Sequence, residues 1–232
     1  MSTGEDGTEA VSGTYRFAMG ACAPVIRSWG RLETVGSEHL PANGPVLLVG
    51  NHDSHWDPVA LGVAGLGRRQ IRALAKASLW GIRPLAPILN GMGQIPLERG
   101  TGDSGALDAA IAQLRGGACV GVFPEGTISR GQELRARSGI GRLALAVPEA
   151  TLLCAAVSGT VDIVRVPKRP RIRVEFFVPE SGGIDPAEEP SALSARCLAE
   201  LRERAPIAIA GRRRKAAKFR HQAAAMERSS KD

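Results

Sequence analysis

Val46-Leu47-Leu48-Val49-Gly50-Asn51-His52-Asp53-Ser54-His55-Trp56-Asp57-Pro58 carries the change from strand to helix that decides the fold. Residues 46–49 form the continuous apolar run of a short buried strand. Asp57-Pro58 has the form of an N-cap followed by a first helical residue, and Val59, Ala60, Leu61 and Val63 continue into a helix. A strand with no polar alternation, followed directly by a helix, belongs to a mostly parallel sheet covered on both faces. His52 then falls on the tight loop between the two elements and is expected to face outward. That loop lies at the carboxyl end of a strand, where open α/β sheets bind their ligands.

Chemistry enters with the pairing of His52 and Asp57. A neutral imidazole accepts a proton from a substrate hydroxyl near neutral pH, and a carboxylate beside it fixes the tautomer and stabilises the imidazolium that forms. A base of this kind contributes about 10²- to 10⁴-fold in rate. On this stretch alone the plainer reading, with Asp57 as a helix cap and His52 as a loop residue bonded to backbone, is equally good.

Working outward, Tyr15 to Trp29 is an apolar segment with two arginines, read as one or two helices interrupted near Pro24. It either packs on the domain or lies on a membrane surface. After a connector at 36–45 and the strand-loop-helix come a second strand at Ile71–Ala75 and a very apolar segment, 79–89, broken by Pro84 and Pro87, with Ser78 as its expected cap. A small strand near 93–100 ends in Arg99. An amphipathic helix at 103–114 closes at Gly116-Gly117. Ala118–Phe123 is a buried strand running into Pro124-Glu125-Gly126-Thr127. A helix at 138–147, strands at 152–157 and 171–178 and a helix at 191–204 complete the pattern. The fold class expected is α/β: a central, mostly parallel sheet flanked by helices, with an N-terminal helical segment. The division expected is a disordered stretch at 1–13, the helical segment at 14–34, one α/β domain at 35–206 and a basic tail at 207–232.

Composition restricts the function classes. The chain has 232 residues, enough for one α/β domain with a full core. No apolar run approaches the roughly 18 residues needed to span a bilayer, and the acidic start does not resemble the basic head of a secretory signal. Cysteines 22, 119, 154 and 197 have no paired spacing, which argues against a disulfide framework and a zinc site and fits a reducing cytoplasm. The net charge of +7 concentrates in Arg212, Arg213, Arg214, Lys215, Lys218 and Arg220. Such a tail is attracted to an anionic leaflet by about 1 kcal/mol per charge. Few aromatics and no stacking motif put nucleic acid well below a membrane as partner.

Three polar sites therefore stand at strand ends: His52 with Asp57, Arg99, and Glu125 with Thr127. Each alone has an ordinary explanation as a cap, a surface ion pair or a helix-start carboxylate. In this order and separation they resemble the glycerolipid acyltransferases, the family of bacterial lysophosphatidate acyltransferases. Asn51-His52-Asp53-Ser54-His55-Trp56-Asp57 matches that family's Asn-His-x-Ser-x-x-Asp block, Gly93 to Arg99 is similar to its second block, and Phe123-Pro124-Glu125-Gly126-Thr127 matches the third. The lead-in at 36–41, Leu143-Ala144 and Val157-Ser158-Gly159-Thr160 extend the likeness over about residues 35 to 160.

The resemblance implies transfer of a fatty acyl group from acyl-coenzyme A or acyl carrier protein to the free hydroxyl of a lysophospholipid such as 1-acylglycerol 3-phosphate, in phospholipid biosynthesis. No metal or other cofactor is expected. His52 would be the base and Asp57 its orienter, supported by Asn51 and Ser54. Arg99 offers a planar fork for the acceptor's phosphate. Glu125 would hold acceptor hydroxyls, Gly126 would let the backbone approach substrate, and Thr127 and Arg130 would complete the binding residues. The chain departs from the family in two places. Ile128 stands where an arginine commonly follows Glu-Gly-Thr, which leaves Arg130 as the next cation, and Cys154 stands where a proline usually ends the fourth block. The expected address is the inner face of the plasma membrane, peripherally attached from the cytoplasm, with an anionic lipid surface as partner.

Other classes fit less well. His52, His55 and Asp57 as metal ligands of a hydrolase lack further imidazoles beyond His39 and His221. Gly102-Asp103-Ser104-Gly105 echoes a serine-protease loop but falls at a helix start, and no Gly-x-Ser-x-Gly elbow occurs. A noncatalytic lipid-binding protein would not need a base at His52.

Overall fold

Strands that are apolar on both faces can be satisfied only by helices on both sides, and the central strands here are of that kind. The computed structural model describes residues 11–98, 104–167 and 169–208. Its strands are β1 (Glu33–Val35), β2 (Val46–Gly50), β3 (Ile71–Lys76), β4 (Ile95–Leu97), β5 (Cys119–Val122), β6 (Thr151–Ser158) and β7 (Arg173–Phe177). Its α-helices are α1 (Gly13–Ala23), α2 (Asp57–Gly65), α3 (Ala86–Gly91), α4 (Ser104–Arg115), α5 (Gly139–Ala146) and α6 (Pro190–Arg204). The strands form a single sheet in the order β1-β7-β6-β2-β5-β3-β4. Among the described residues every neighbouring pair is parallel except β6 with β7.

Strand β2 sits at the centre, with Val46 opposite Cys119 on one side and Thr151 on the other. Its side chains alternate between two cores. Leu47 and Val49 join Leu152, Cys154, Ala110, Leu114, Leu143 and Leu201 beneath α4, α5 and α6. Val46 and Leu48 join Leu153, Ala155, Tyr15, Met19, Leu61 and Val63 beneath α1 and α2. The period of two along a fully buried strand is what divides the interior this way.

The N-terminal segment expected at 14–34 is part of this body. Helix α1 runs directly into a π-helical turn at Pro24–Trp29, and Tyr15, Met19 and Ile26 are buried against the sheet. Ser12 caps α1, its hydroxyl accepting from Tyr15 N at 3.1 Å and donating to Gly91 O at 2.8 Å. Val11 and Ser12 are thus placed within the stretch expected to be disordered, and residues 1–10 and 209–232 lie outside the described residues. The expected domain boundary at 34/35 falls inside β1, an edge strand too short to give an apolar pattern of its own.

Two local readings are corrected. Asp57 is the first residue of α2 rather than its cap; Trp56 occupies the cap position in helical conformation. The Asp57 carboxylate turns back onto the preceding loop instead. Ser78 does not cap a helix but lies inside a 3₁₀ turn, Ala77–Gly81, preceded by Lys76.

Helix α6 is held close to α5 at Gly141, where an added Cβ would stand 2.0 Å from Pro190 O. Backbone cannot yield there as a flexible side chain would. Gly141→Ala is expected to cost about 1–3 kcal/mol of stability by overpacking, read as a lowered urea midpoint with an unchanged slope.

Candidate active site

The end of β2 delivers Asn51 and His52 to the carboxyl edge of the sheet. Asn51 prolongs the sheet pattern with its side chain, Nδ2 donating to Val157 O at 2.8 Å and Oδ1 accepting from Val157 N at 2.7 Å. That pair of hydrogen bonds ties the loop to β6. The chain then folds around Asp57, whose carboxylate is fully buried and collects four donors. Oδ2 accepts from Asp53 N at 2.6 Å and Ser54 N at 2.7 Å and faces His52 Nδ1 at 3.1 Å, while Oδ1 accepts from the Thr160 hydroxyl. An oxygen that already takes two N–H bonds is an acceptor, so Nδ1 carries the ring proton and Nε2 is the basic nitrogen. Ser54 Oγ accepts from Trp56 N at 3.2 Å and donates to Thr160 O at 3.4 Å, closing the loop.

His52 is buried, at 6% exposure, rather than facing solvent as the loop position suggests. Its backbone is held on both sides by the segment after β5. His52 N donates to Glu125 Oε2 at 2.6 Å, and His52 O accepts from Ser129 N at 2.8 Å. The ring stacks on Phe123 with centroids 4.4 Å apart. Main chain and ring are therefore both fixed before any substrate arrives.

Glu125, expected to meet acceptor hydroxyls, is buried and lines neither of the cavities described below. Its second oxygen pairs with Arg202 of α6. Burial pushes the Glu125 carboxyl above its ordinary range, while Arg202 and the His52 N–H pull it down. Arg202 also grips Asp53 with both terminal nitrogens, at 2.8 and 2.9 Å, and the Ser129 hydroxyl donates to the same carboxylate. One guanidinium thus compensates two buried acids, one on each loop that shapes the His52 environment. Arg202 is separated from Asp53 by 149 positions in sequence and has no local signal there.

Two cavities open beside the dyad. The larger, of about 360 Å³, is lined by His52, Tyr15, Met19, Leu61, Leu79 and Leu89 among other, mainly apolar residues. Lining residues Ala73, Ala75, Gly121 and Val122 carry it along β3 and β5 beneath α1 and α2. The Tyr15 hydroxyl at its wall accepts from Ile71 N at 3.2 Å and donates to Gly62 O at 3.4 Å, and burial pushes its pKa up. The second cavity, of about 320 Å³, is polar and lined by Asp53, Ser54, His55, Ile128, Arg130, Val161 and Ala208. His55 and Ile128 line both.

The other expected residues fall as follows. Gly126 lines the apolar cavity with φ +65°, and a Cβ there would meet the Arg137 side chain at 2.6 Å. Thr127 is half-buried in the turn and lines neither cavity. Arg130 is exposed at the polar cavity, with φ +52°. Arg99 lies outside the described residues. Among the described residues there is no group of three or more His, Cys, Asp or Glu placed to hold a metal ion. Asp53, Phe123, Ser129, Thr160 and Arg202 shape the site without having been singled out for it by sequence reasoning; of these, only Asp53, Phe123 and Thr160 fall inside the quoted motif blocks.

A family model described as Acyltransferase matches residues 31–165. Among curated proteins, the 1-acyl-sn-glycerol-3-phosphate acyltransferase of Bacillus subtilis (strain 168) is 27% identical over 113 residues, covering 49% of this chain and 56% of that protein. The protein of the same name from Borreliella burgdorferi is 35% identical over 107 residues, covering 45% and 42%. The match thus spans about half the length of these relatives. Among solved structures, the 1-acyl-sn-glycerophosphate (LPA) acyltransferase PlsC from Thermotoga maritima superposes with a TM-score of 0.57 at 20% identity, over 81% of this chain and 82% of that one, a likeness of fold.

Arg202 offers a direct check on the charge arrangement. Removing it leaves two buried carboxylates without their cation, so Arg202→Ala is expected to cost about 3–5 kcal/mol in denaturant unfolding. Arg202→Lys keeps the charge but not the fork, and should recover only part of the loss.

Proposed function

The chain belongs to the acyltransferase family, and on that premise we propose that it moves a fatty acyl group from a thioester to the free hydroxyl of a lysophospholipid such as 1-acylglycerol 3-phosphate. The observation that carries this reading is a buried His–Asp pair opening into an apolar cavity on one side and adjoining a polar one on the other.

In the proposed reaction His52 Nε2 takes the proton of the acceptor hydroxyl as its oxygen attacks the thioester carbonyl. Asp57 stabilises the imidazolium across Nδ1. Collapse of the tetrahedral adduct forms the ester and breaks the C–S bond, and His52 returns the proton to the departing thiolate. No covalent acyl-enzyme is needed. The acyl chain occupies the apolar cavity, whose size falls at the lower end of the roughly 300–1,000 Å³ common for ligand sites. Each methylene buried there contributes about 0.8 kcal/mol. Leu79 and Leu89, from the apolar segment after β3, are among its walls.

The acceptor's headgroup then takes the polar side, where Arg130 meets its phosphate; Arg99, outside the described residues, is the second cation the family resemblance assigns to that phosphate. Ile128 stands between the two cavities, so the turn after Glu125 adds apolar surface where the family commonly has a cation. Either acyl-coenzyme A or acyl carrier protein serves the chemistry as donor. The protein works peripherally on the inner face of the plasma membrane; no helix among the described residues is long and apolar enough to cross it.

Thiol release from a long-chain acyl-coenzyme A and from the acyl carrier protein thioester, with lysophosphatidate as acceptor, tests the reading. His52→Ala is expected to lower the rate about 10²- to 10⁴-fold with folding intact. Equal release from wild type and variant, or release indifferent to acceptor, would overturn it. Transfer to an unphosphorylated monoacylglycerol in preference to lysophosphatidate would move the acceptor assignment while leaving the His52 step in place.

A further inference from the structure

We infer that the loop between β6 and β7 is the element with which this protein touches an anionic lipid surface, and that this contact turns the polar cavity toward the leaflet. The inference rests on the proposed lipid acceptor and adds the part of the chain that meets the membrane.

Val164 and Val166 are 75% and 77% exposed, among the most exposed large apolar side chains of the described chain. Scattered apolar residues on a surface need no explanation. These two stand together on one loop, with exposed Arg165 between them and exposed Pro167 after them. Arg169 and Arg171 follow, also exposed, and residues 163–173 contain no acidic side chain at all. Asp162, the acid just before this stretch in sequence, pairs with Arg165 at 3.8 Å across partly exposed surface. Arg173 at its far end pairs with Glu33 and Glu175, which leaves Arg169 and Arg171 as the cations beside the valines without a carboxylate partner among the described residues. Apolar tips set among cations are the arrangement that binds an anionic bilayer, the charges drawing the element to the headgroups and the apolar groups entering below them.

The loop is braced from behind. Trp29 Nε1 donates to Ile163 O at 2.7 Å. Arg169 Nε donates to Trp29 O at 3.3 Å, and its guanidinium lies 5.9 Å from the Trp29 ring centroid. Arg31 donates to Arg169 O and Pro170 O, both at 3.1 Å. The valines are therefore held out from the body by bonds to the N-terminal segment.

The root of the loop is the catalytic site itself. Thr160 donates to Asp57, and Val161 lines the polar cavity beside His55 and Arg130. Only Asp162 and Ile163 separate Val161 from Val164. A loop anchored at one end on the dyad and at the other in the leaflet brings a lysolipid's hydroxyl to His52 without carrying its chain through water.

The test joins Val164→Asp with Val166→Asp in the full chain. Sedimentation with vesicles of equal parts phosphatidylglycerol and phosphatidylcholine should show the double variant weakened about tenfold or more against the unchanged protein. Its thermal transition and its transfer to a short-chain, water-soluble lysolipid should be unchanged. The unchanged protein should prefer these vesicles to pure phosphatidylcholine. In a separate variant, Val166→Trp, fluorescence should shift to the blue on vesicle addition and be quenched by brominated lipid. Unaltered sedimentation of the double variant, or a Trp signal indifferent to vesicles, would overturn the inference. Failure of the unchanged protein to transfer acyl groups to any acceptor would count against the proposed reaction and leave the vesicle result to decide the loop on its own.

Discussion

The buried carboxylate of Asp57 is the constraint on which the site depends. A fully desolvated acid is costly unless donors surround it, and this one gathers two backbone amides, a hydroxyl and an imidazole. Those bonds decide three things together. They fold the Asp53–Trp56 loop into one shape, they fasten it to the end of β6 through Thr160, and they select the tautomer of His52. The geometry of the His52–Asp57 pair and the shape of the loop therefore come from the same interaction.

A second charge arrangement holds the first in place. Arg202 reaches from α6 to Asp53 and Glu125, while Asp53 N is already committed to Asp57 and Glu125 already holds His52 N. The His52 loop and the segment after β5 are thus locked to a helix that contributes no group to the cavities described. Buried acids sharing a cation are weak evidence for stability, because desolvation offsets much of the attraction. Their contribution here is better understood as placement: the fork of Arg202 fixes two loops relative to each other to within a hydrogen bond. Gly141 sets how closely α6 lies on α5.

The sheet was legible in the sequence because β2, β5 and β6 are apolar on both faces, the pattern of strands in a sheet covered on both sides. The His52–Asp57 pair was legible because its spacing is local. Glu125 was legible as a polar group at a strand end, but its direction was not: whether it points at substrate or into the protein depends on Arg202, which sequence places far away. The same holds for Asp57, where Asp-Pro correctly marks the start of α2 while concealing that the carboxylate serves the loop behind it. Edge strand β1, with only three residues, offers no period to detect and exists because β7 presents an open edge. Local chemistry can be read along the chain; the partner that orients it is supplied by the fold.

The central claim is that Asp57 fixes the His52 proton on Nδ1 and leaves Nε2 as the base. Nitrogen NMR of the His52 ring at neutral pH tests it without any substrate. The account predicts a protonated, pyrrole-like Nδ1 and an unprotonated, pyridine-like Nε2, with this preference lost in Asp57→Asn. A proton resident on Nε2, or a ring whose tautomer does not respond to Asp57→Asn, would contradict it.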